Sequence, residues 1–147
     1  MLAIEGGVVR ISSRCEYGVR AMVYLASRHD EQPVPLSAIA ASEGIPTAFL
    51  ERILAGLRNG GLVLTARGVA GGYRLARAAA EISVADVVEA LEGPLSLVGC
   101  LPNDAGCDRA DGCASRQVWR RLDDAISGAL NAITLEDLRL ETGGKAR

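Results

Sequence analysis

Aromatic side chains are scarce in this chain of 147 residues: three tyrosines, one tryptophan and one phenylalanine. Its core must therefore come mainly from leucine, valine, isoleucine and alanine, within an apolar share of 49% that is ordinary for a globular protein. Histidine occurs once, at position 29, and neither a Ser/His/Asp set nor a phosphate-binding glycine loop accompanies it, which argues against an enzyme. No apolar run approaches the roughly 20 residues that a bilayer-spanning helix needs. Residues 1–10 lack the basic start and long apolar stretch of a secretory signal. A cytoplasmic protein without a membrane segment is the expectation. Internal repeats are absent too, and the length suits one domain, or a small domain with an appended helix.

No single sign of charge dominates either. The net charge of −2 averages two unlike halves: residues 1–75 carry eight arginines against six acids, and residues 76–147 carry eight basic against twelve acidic groups. A mildly basic front and an acidic back fit a DNA reader joined to a sensing or pairing element.

Along the chain, the first eight residues show no periodic pattern and read as a frayed extension. A helix capped by Ser12 or Ser13 follows, with Tyr17, Ala21, Tyr24 and Leu25 on one face, ending near His29–Glu31 ahead of Pro33 and Pro35. A short helix over Leu36–Ser42 stops at Gly44, and a second opens at Pro46–Thr47 with Leu50, Ile53, Leu54 and Leu57 as its buried stripe. Two short helices joined by a glycine-containing turn form a helix-turn-helix. Leu62–Thr65 and Tyr73–Leu75 then read as strands around a glycine-rich loop, which makes a β-hairpin wing. Ser83 caps a further helix to Glu92, with Val84, Val87, Val88 and Leu91 inward and Gly93-Pro94 as its stop. After an irregular segment, residues 95–114, a long helix starts near Ser115. Its stripe of Val118, Trp119, Leu122, Ala125, Ile126, Ala129, Leu130 and Ile133 is too broad for one partner surface, so self-association is its natural outlet. Thr134 caps a final turn, Leu135–Leu140. The fold class is thus mainly α with a small β-hairpin wing: a winged helix-turn-helix over residues 1–80, followed over residues 81–147 by the cysteine-bearing loop and a long dimerisation helix.

Two constellations carry chemistry. Cys100-x6-Cys107-x5-Cys113 places three thiols in one polar loop, where flexible backbone lets thiolates converge on an iron–sulfur cluster or a soft metal such as zinc. A disulfide or incidental thiols are the plain alternative, disfavoured by the odd count and by a reducing compartment. A fourth ligand could be Cys15, Glu16, His29, Asp104, Asp108 or Asp111. The other constellation is the reading head. Thr47, Ala48, Phe49, Glu51 and Arg52 face outward from a helix suited to the major groove, where Glu accepts from cytosine and Arg bonds guanine or phosphate; Arg58 lies further along the same helix. Arg67-Gly68 at the wing hinge suits minor-groove insertion, and glycines 68, 71 and 72 let backbone approach phosphates, with Tyr73 following. Plain surface decoration and hairpin geometry are the bland readings of the same residues.

Arg10-Ile11-Ser12 leading into Glu16-Tyr17-Gly18-Val19-Arg20-Ala21, Phe49-Leu50-Glu51, Leu57–Val63 and Arg67-Gly68-x-x-Gly71-Gly72-Tyr73 together resemble the IscR/NsrR-type family of bacterial winged-helix repressors. The three cysteines, the Trp119 helix and Ile133–Leu138 extend the likeness over about residues 9–140. The resemblance implies a homodimer crossed through the long helix, two heads reading a palindromic double-stranded DNA operator, and a [2Fe-2S] or [4Fe-4S] cluster on Cys100, Cys107 and Cys113. It also assigns Glu51 to base reading and Arg67 and Gly68 to the minor groove. The IscR branch carries a histidine ligand three residues after the third cysteine, where this chain has Arg116, which cannot ligate iron. The nitric-oxide-sensing branch takes a carboxylate from the start of the first helix, the place of Glu16, so the resemblance implies Glu16 as fourth ligand, contributed by the partner subunit. Binding controlled by nitric oxide, redox or iron–sulfur status follows. The competing expectation is a cluster-free winged-helix regulator governed by a partner protein or by thiol oxidation.

Overall fold

A computed structural model describes residues 2–5, 8–28, 32–68, 71–94 and 114–143. Strands β1 (Leu2–Glu5) and β2 (Val8–Ile11) pair antiparallel, with Glu5 opposite Val8, and precede helix α1 (Ser13–Ala26). The frayed extension expected there is therefore a hairpin. Two short aliphatic runs on either side of a Gly-Gly pair are a hairpin signal in their own right.

Ser12 caps α1, its hydroxyl accepting from the Cys15 N–H at 3.2 Å. The buried face of α1 comprises Cys15, Gly18, Ala21, Met22, Leu25 and Ala26, while Tyr17 and Tyr24 lie at its margin. The helix stops at Ala26, short of the sequence expectation, where the Ser27 hydroxyl turns back to donate to the Tyr24 carbonyl. Helix α2 (Leu36–Glu43) ends on Gly44 in the left-handed conformation at φ 64°, as a glycine stop should. Helix α3 (Thr47–Asn59) buries Leu50, Ile53, Leu54 and Leu57, each fully shielded from solvent and each contributing about 1.5–3 kcal/mol.

Strands β3 (Val63–Ala66) and β4 (Gly72–Leu75) form the wing, in antiparallel register with Val63 opposite Leu75. A third segment joins them. Val34, in the connection between α1 and α2, exchanges both backbone hydrogen bonds with Tyr73 at 2.8 Å. That approach needs a bare α-carbon next door, because a Cβ on Gly72 would sit 2.2 Å from the Val34 oxygen.

After a 3-10 turn (Ala79–Glu81), helix α4 (Val84–Glu92) opens with a reciprocal capping box: the Ser83 hydroxyl accepts from the Asp86 N–H, and Asp86 accepts from the Ser83 N–H. Its expected stripe of Val84, Val87, Val88 and Leu91 is buried. Helix α5 (Ala114–Ala132) differs in kind, for no residue of it is buried. Val118, Trp119 and Leu122 stand 57%, 38% and 43% exposed on the stripe that the sequence marks as apolar. Helix α6 (Leu135–Gly143) is longer than the final turn expected and folds back on α1, with Leu135 fully buried. Backbone bonds from Val84 to Ile133 and from Leu135 to Ile82 fix that return. Among the described residues, no helix is long and apolar enough to cross a membrane.

Thr134 and Asp137 form a second capping box at the start of α6, and hydrogen bonds from the Thr134 backbone and hydroxyl region hold the Asp137 carboxyl below its ordinary range. A lowered carboxyl stabilises the fold above its unfolded pKa, and that contribution is lost as pH falls through the folded value. The melting-temperature gap between wild type and Asp137→Ala should therefore be present at pH 7 and close as pH is lowered below about 4.

Candidate nucleic-acid interface and cysteine segment

The two helices of the reading head are held at their angle by a cluster at the α1 end. The Tyr17 ring meets Phe49 edge-on, with centroids 5.6 Å apart and planes at 82°. Arg20, one turn along α1, stacks over Tyr17 with its guanidinium 5.5 Å from the ring centre. The same guanidinium donates to the Glu43 backbone carbonyl at the end of α2 and pairs with the Glu43 carboxylate at 3.4 Å. One arginine thus joins α1 and the C-terminus of α2, and one ring pair joins α1 to the start of α3. The sequence patterns single out neither Arg20 nor Tyr17 for this role. The only local hint is their spacing of three, which places them on one helix face.

With Phe49 half-buried against Tyr17, the exposed side chains at the start of α3 are Thr47, Ala48, Glu51 and Arg52. Arg58 is exposed in the last turn of the helix. The wing brings Arg67 and Arg74 to the surface, and Gly68 turns the chain at φ 102° into open space. The Gly71 N–H donates to the Gly68 carbonyl at 2.9 Å, closing the wing tip, and no side chain fits at Gly71, whose Cβ would lie 2.4 Å from the Ala66 oxygen. Tyr73 is half-buried and packs on the core beside the Val34 bridge. Acid and guanidinium are thus exposed at the start of α3, and guanidinium on the glycine-hinged hairpin. That combination suits base edges in one groove and phosphates or a narrow groove alongside.

Of the expected metal ligands, Cys100, Cys107 and Cys113 lie outside the described residues, as do His29, Asp104, Asp108 and Asp111. Among the described residues, no group of three His, Cys, Asp or Glu side chains gathers at one point. Glu16 and Cys15 are neighbours in the first turn of α1 with opposite fates. The Glu16 carboxylate is exposed and, among the described residues, makes no side-chain hydrogen bond or ion pair. The Cys15 thiol is 1% exposed, and burial pushes its pKa up, the nearby Glu92 carboxylate adding to the rise while the Ser12 hydrogen bond offsets part of it. Of the two, only Glu16 presents its side chain to solvent. Arg116 is half-buried in the first turn of α5.

Comparison with known proteins adds to this geometry. The model of the Rrf2 family, described as an iron-dependent transcriptional regulator, matches residues 11–140, so β1 lies ahead of the matched stretch. The chain is similar to the HTH-type transcriptional regulators IscR of Photorhabdus laumondii and Serratia proteamaculans, each 39% identical over 130 residues that span 88% of this chain and 79% of the relative. Among solved structures, it resembles CymR, the global cysteine regulator of B. subtilis, with a TM-score of 0.78 and 36% identity over 91% of this chain and 98% of that one. It also resembles T. potens IscR, with a TM-score of 0.76 and 34% identity over 94% and 93% of the two chains.

The opposite fates of the adjacent residues can be checked directly. In a variant with Cys100, Cys107 and Cys113 replaced by serine, Cys15 should resist iodoacetamide at pH 8 until denaturant is added, since a buried thiol kept protonated is a poor nucleophile. Mass spectrometry of the native protein would show labelling at the rate of a free thiol if the residue were accessible.

Proposed function

The chain belongs to the Rrf2 family of transcriptional regulators, a winged-helix DNA-binding protein and not an enzyme, and from that premise we propose a cytoplasmic, homodimeric repressor whose operator affinity is set by an iron–sulfur cluster. Cys100, Cys107 and Cys113 of one protomer and Glu16 of the other are the ligands in this reading. The observation that carries it is the pairing of a three-thiol segment with an exposed carboxylate, unpartnered among the described residues, at the first turn of α1. Three thiolates and one carboxylate are a donor set that iron accepts, with the carboxylate as the exchangeable member. A bound cluster would supply the sensitivity to nitric oxide, oxygen and iron supply that side chains alone lack.

The remaining work falls to the chain's own groups. Thr47, Glu51, Arg52 and Arg58 on α3 face the major groove, and Arg67, Gly68 and Gly71 at the wing approach the minor groove and phosphates. Phe49 acts through Tyr17 to hold the helix, and Tyr73 acts through Val34 to hold the wing. The exposed stripe of α5 pairs with a second copy, so that two heads meet two half-sites of a palindrome. With a cluster bound, Glu16 would tie α1 to the opposite protomer and set the spacing of the heads; without it that tie would be absent, and contacts to both half-sites would weaken together. The likeness to IscR proteins supports the cluster reading, and the presence of Arg116 in place of a histidine supports Glu16. A second reading is favoured by the likeness to a global cysteine regulator: a cluster-free head whose thiols, or a partner protein, control binding.

Anaerobic purification separates the two. The wild-type protein should be coloured, with visible absorbance lost in Cys100→Ala and reduced in Glu16→Ala but kept in Arg116→Ala. Colourless protein with stoichiometric zinc, or equal absorbance in the Glu16 and Arg116 variants, would remove the iron centre or Glu16 respectively. At fixed salt, Arg67→Ala should weaken operator binding by about 1–3 kcal/mol. An unchanged Kd in a titration of labelled operator would mean that the wing stays outside the groove.

A further inference from the structure

Three consecutive residues at the end of α4 touch three different parts of the reading head. Ala90 lies over Gly60, the cap of α3, so closely that a Cβ on Gly60 would come within 2.7 Å of the Ala90 methyl. Leu91, 5% exposed, fits the crossing of α1 and α3 with a methyl group on each: a Cβ on Gly18 would be 2.3 Å from one, and a Cβ on Gly56 would be 3.3 Å from the other. Glu92 accepts a hydrogen bond from the Ser12 hydroxyl at 2.8 Å, and Ser12 in turn caps α1 through the Cys15 N–H. Directly beyond lies Gly93, at φ 81°, and then Pro94, where the chain departs toward the cysteine-bearing segment.

Glycine at positions 18, 56 and 60 lets three helix backbones approach without an intervening side chain, so α4 cannot shift without moving what it touches. Packed contacts of this kind change by discrete repacking, with helix shifts on the order of 1–2 Å, and not by gradual deformation. The Ser12–Glu92 bond adds direction, because it couples the last residue of α4 to the turn of α1 that carries Glu16. The Ser12 hydroxyl thus stands between Glu92, after which the chain runs on to the cysteine segment, and the first turn of α1, where Glu16 holds the Ser12 carbonyl through its own backbone N–H at 3.1 Å.

We propose that Glu92 and Leu91 are positioning residues that carry the state of the cysteine segment to the recognition helix, Glu92 through Ser12 and Leu91 through the glycine socket of α1 and α3. The inference rests on the cluster reading above for its physiological signal, while the mechanical linkage stands on the contacts alone.

The test compares Glu92→Ala with Glu92→Gln, since glutamine keeps an oxygen to accept from Ser12 and alanine does not. Both substitutions fall at the half-buried last residue of α4 and leave Leu91 in place. Full-length protein is purified anaerobically, and affinity for a duplex selected from a random pool by the wild type is measured with and without cluster. Glu92→Ala should retain visible absorbance but bring the loaded-to-free affinity ratio within about twofold of one, while Glu92→Gln keeps the wild-type ratio. A wild-type ratio in Glu92→Ala, or equal loss in both variants, overturns the proposal. A colourless wild type would instead fail the cluster reading, and amide hydrogen exchange then decides the linkage: faster exchange in α3 for Glu92→Ala alone supports it, and unchanged exchange in α3 overturns it.

Discussion

The crossing of α1 with α3 is the contact on which the other elements depend. Gly18 brings the α1 backbone close enough for Ile53 and Leu91 to pack at the same point, and Met22, Leu25, Leu54 and Leu57 complete a dry layer around it. In a chain with so few aromatic rings, stability has to come from many small aliphatic contacts at high density, where a missing or added methyl group is felt. That explains why the two helices meet over glycine and not over larger side chains. It also explains why α4 and α6 both settle on α1: the helix offers apolar surface on more than one side, and its neighbours finish the burial.

Around this crossing, polar contacts set angles and leave the apolar layer to supply cohesion. The Arg20 guanidinium reaches the C-terminal carbonyl of α2, where the helix dipole is negative, and at the same time stacks on Tyr17. Its geometry as a planar fork lets one side chain satisfy both, which a lysine could not do. The capping boxes at α4 and α6 set the entry directions of those helices in the same way. The result is a head in which Glu51, Arg52 and Arg67 are free to face outward because the residues behind them are engaged elsewhere.

Much of this is legible in the sequence, and the reasons for success and failure are physical. The stripes of α3 and α4 show as apolar residues at three- and four-residue spacing, and the wing shows as two short runs around clustered glycines, because burial on one face imposes those periods. The pairing of β1 with β2 is missed when the first eight residues are read for periodicity, because strands of four residues are too short to show one. Helix α6 shows its Thr134 cap but not its destination; nothing local says that Leu135 will be fully buried or that the helix will return to α1. The Arg20–Tyr17–Phe49 cluster and the Ser12–Glu92 bond join residues up to 80 positions apart, and periodicity carries no information about such partners. For the proposed metal site, spacing alone suggests three thiolates, whereas Glu16 looks like any solvated acid near a helix start, and only the family resemblance singles it out.

The bridge between Val34 and Tyr73 has a consequence for how the molecule comes apart. A lone two-stranded ribbon of four-residue strands is marginal in water, and the extra pair of backbone bonds makes the wing part of a larger cooperative unit with the connection that leads into α2. Opening one means opening the other. Thermal excursions short of global melting would thus release the hairpin and the segment leading into α2 together, and a protease probing partial unfolding would find both uncovered at the same moment.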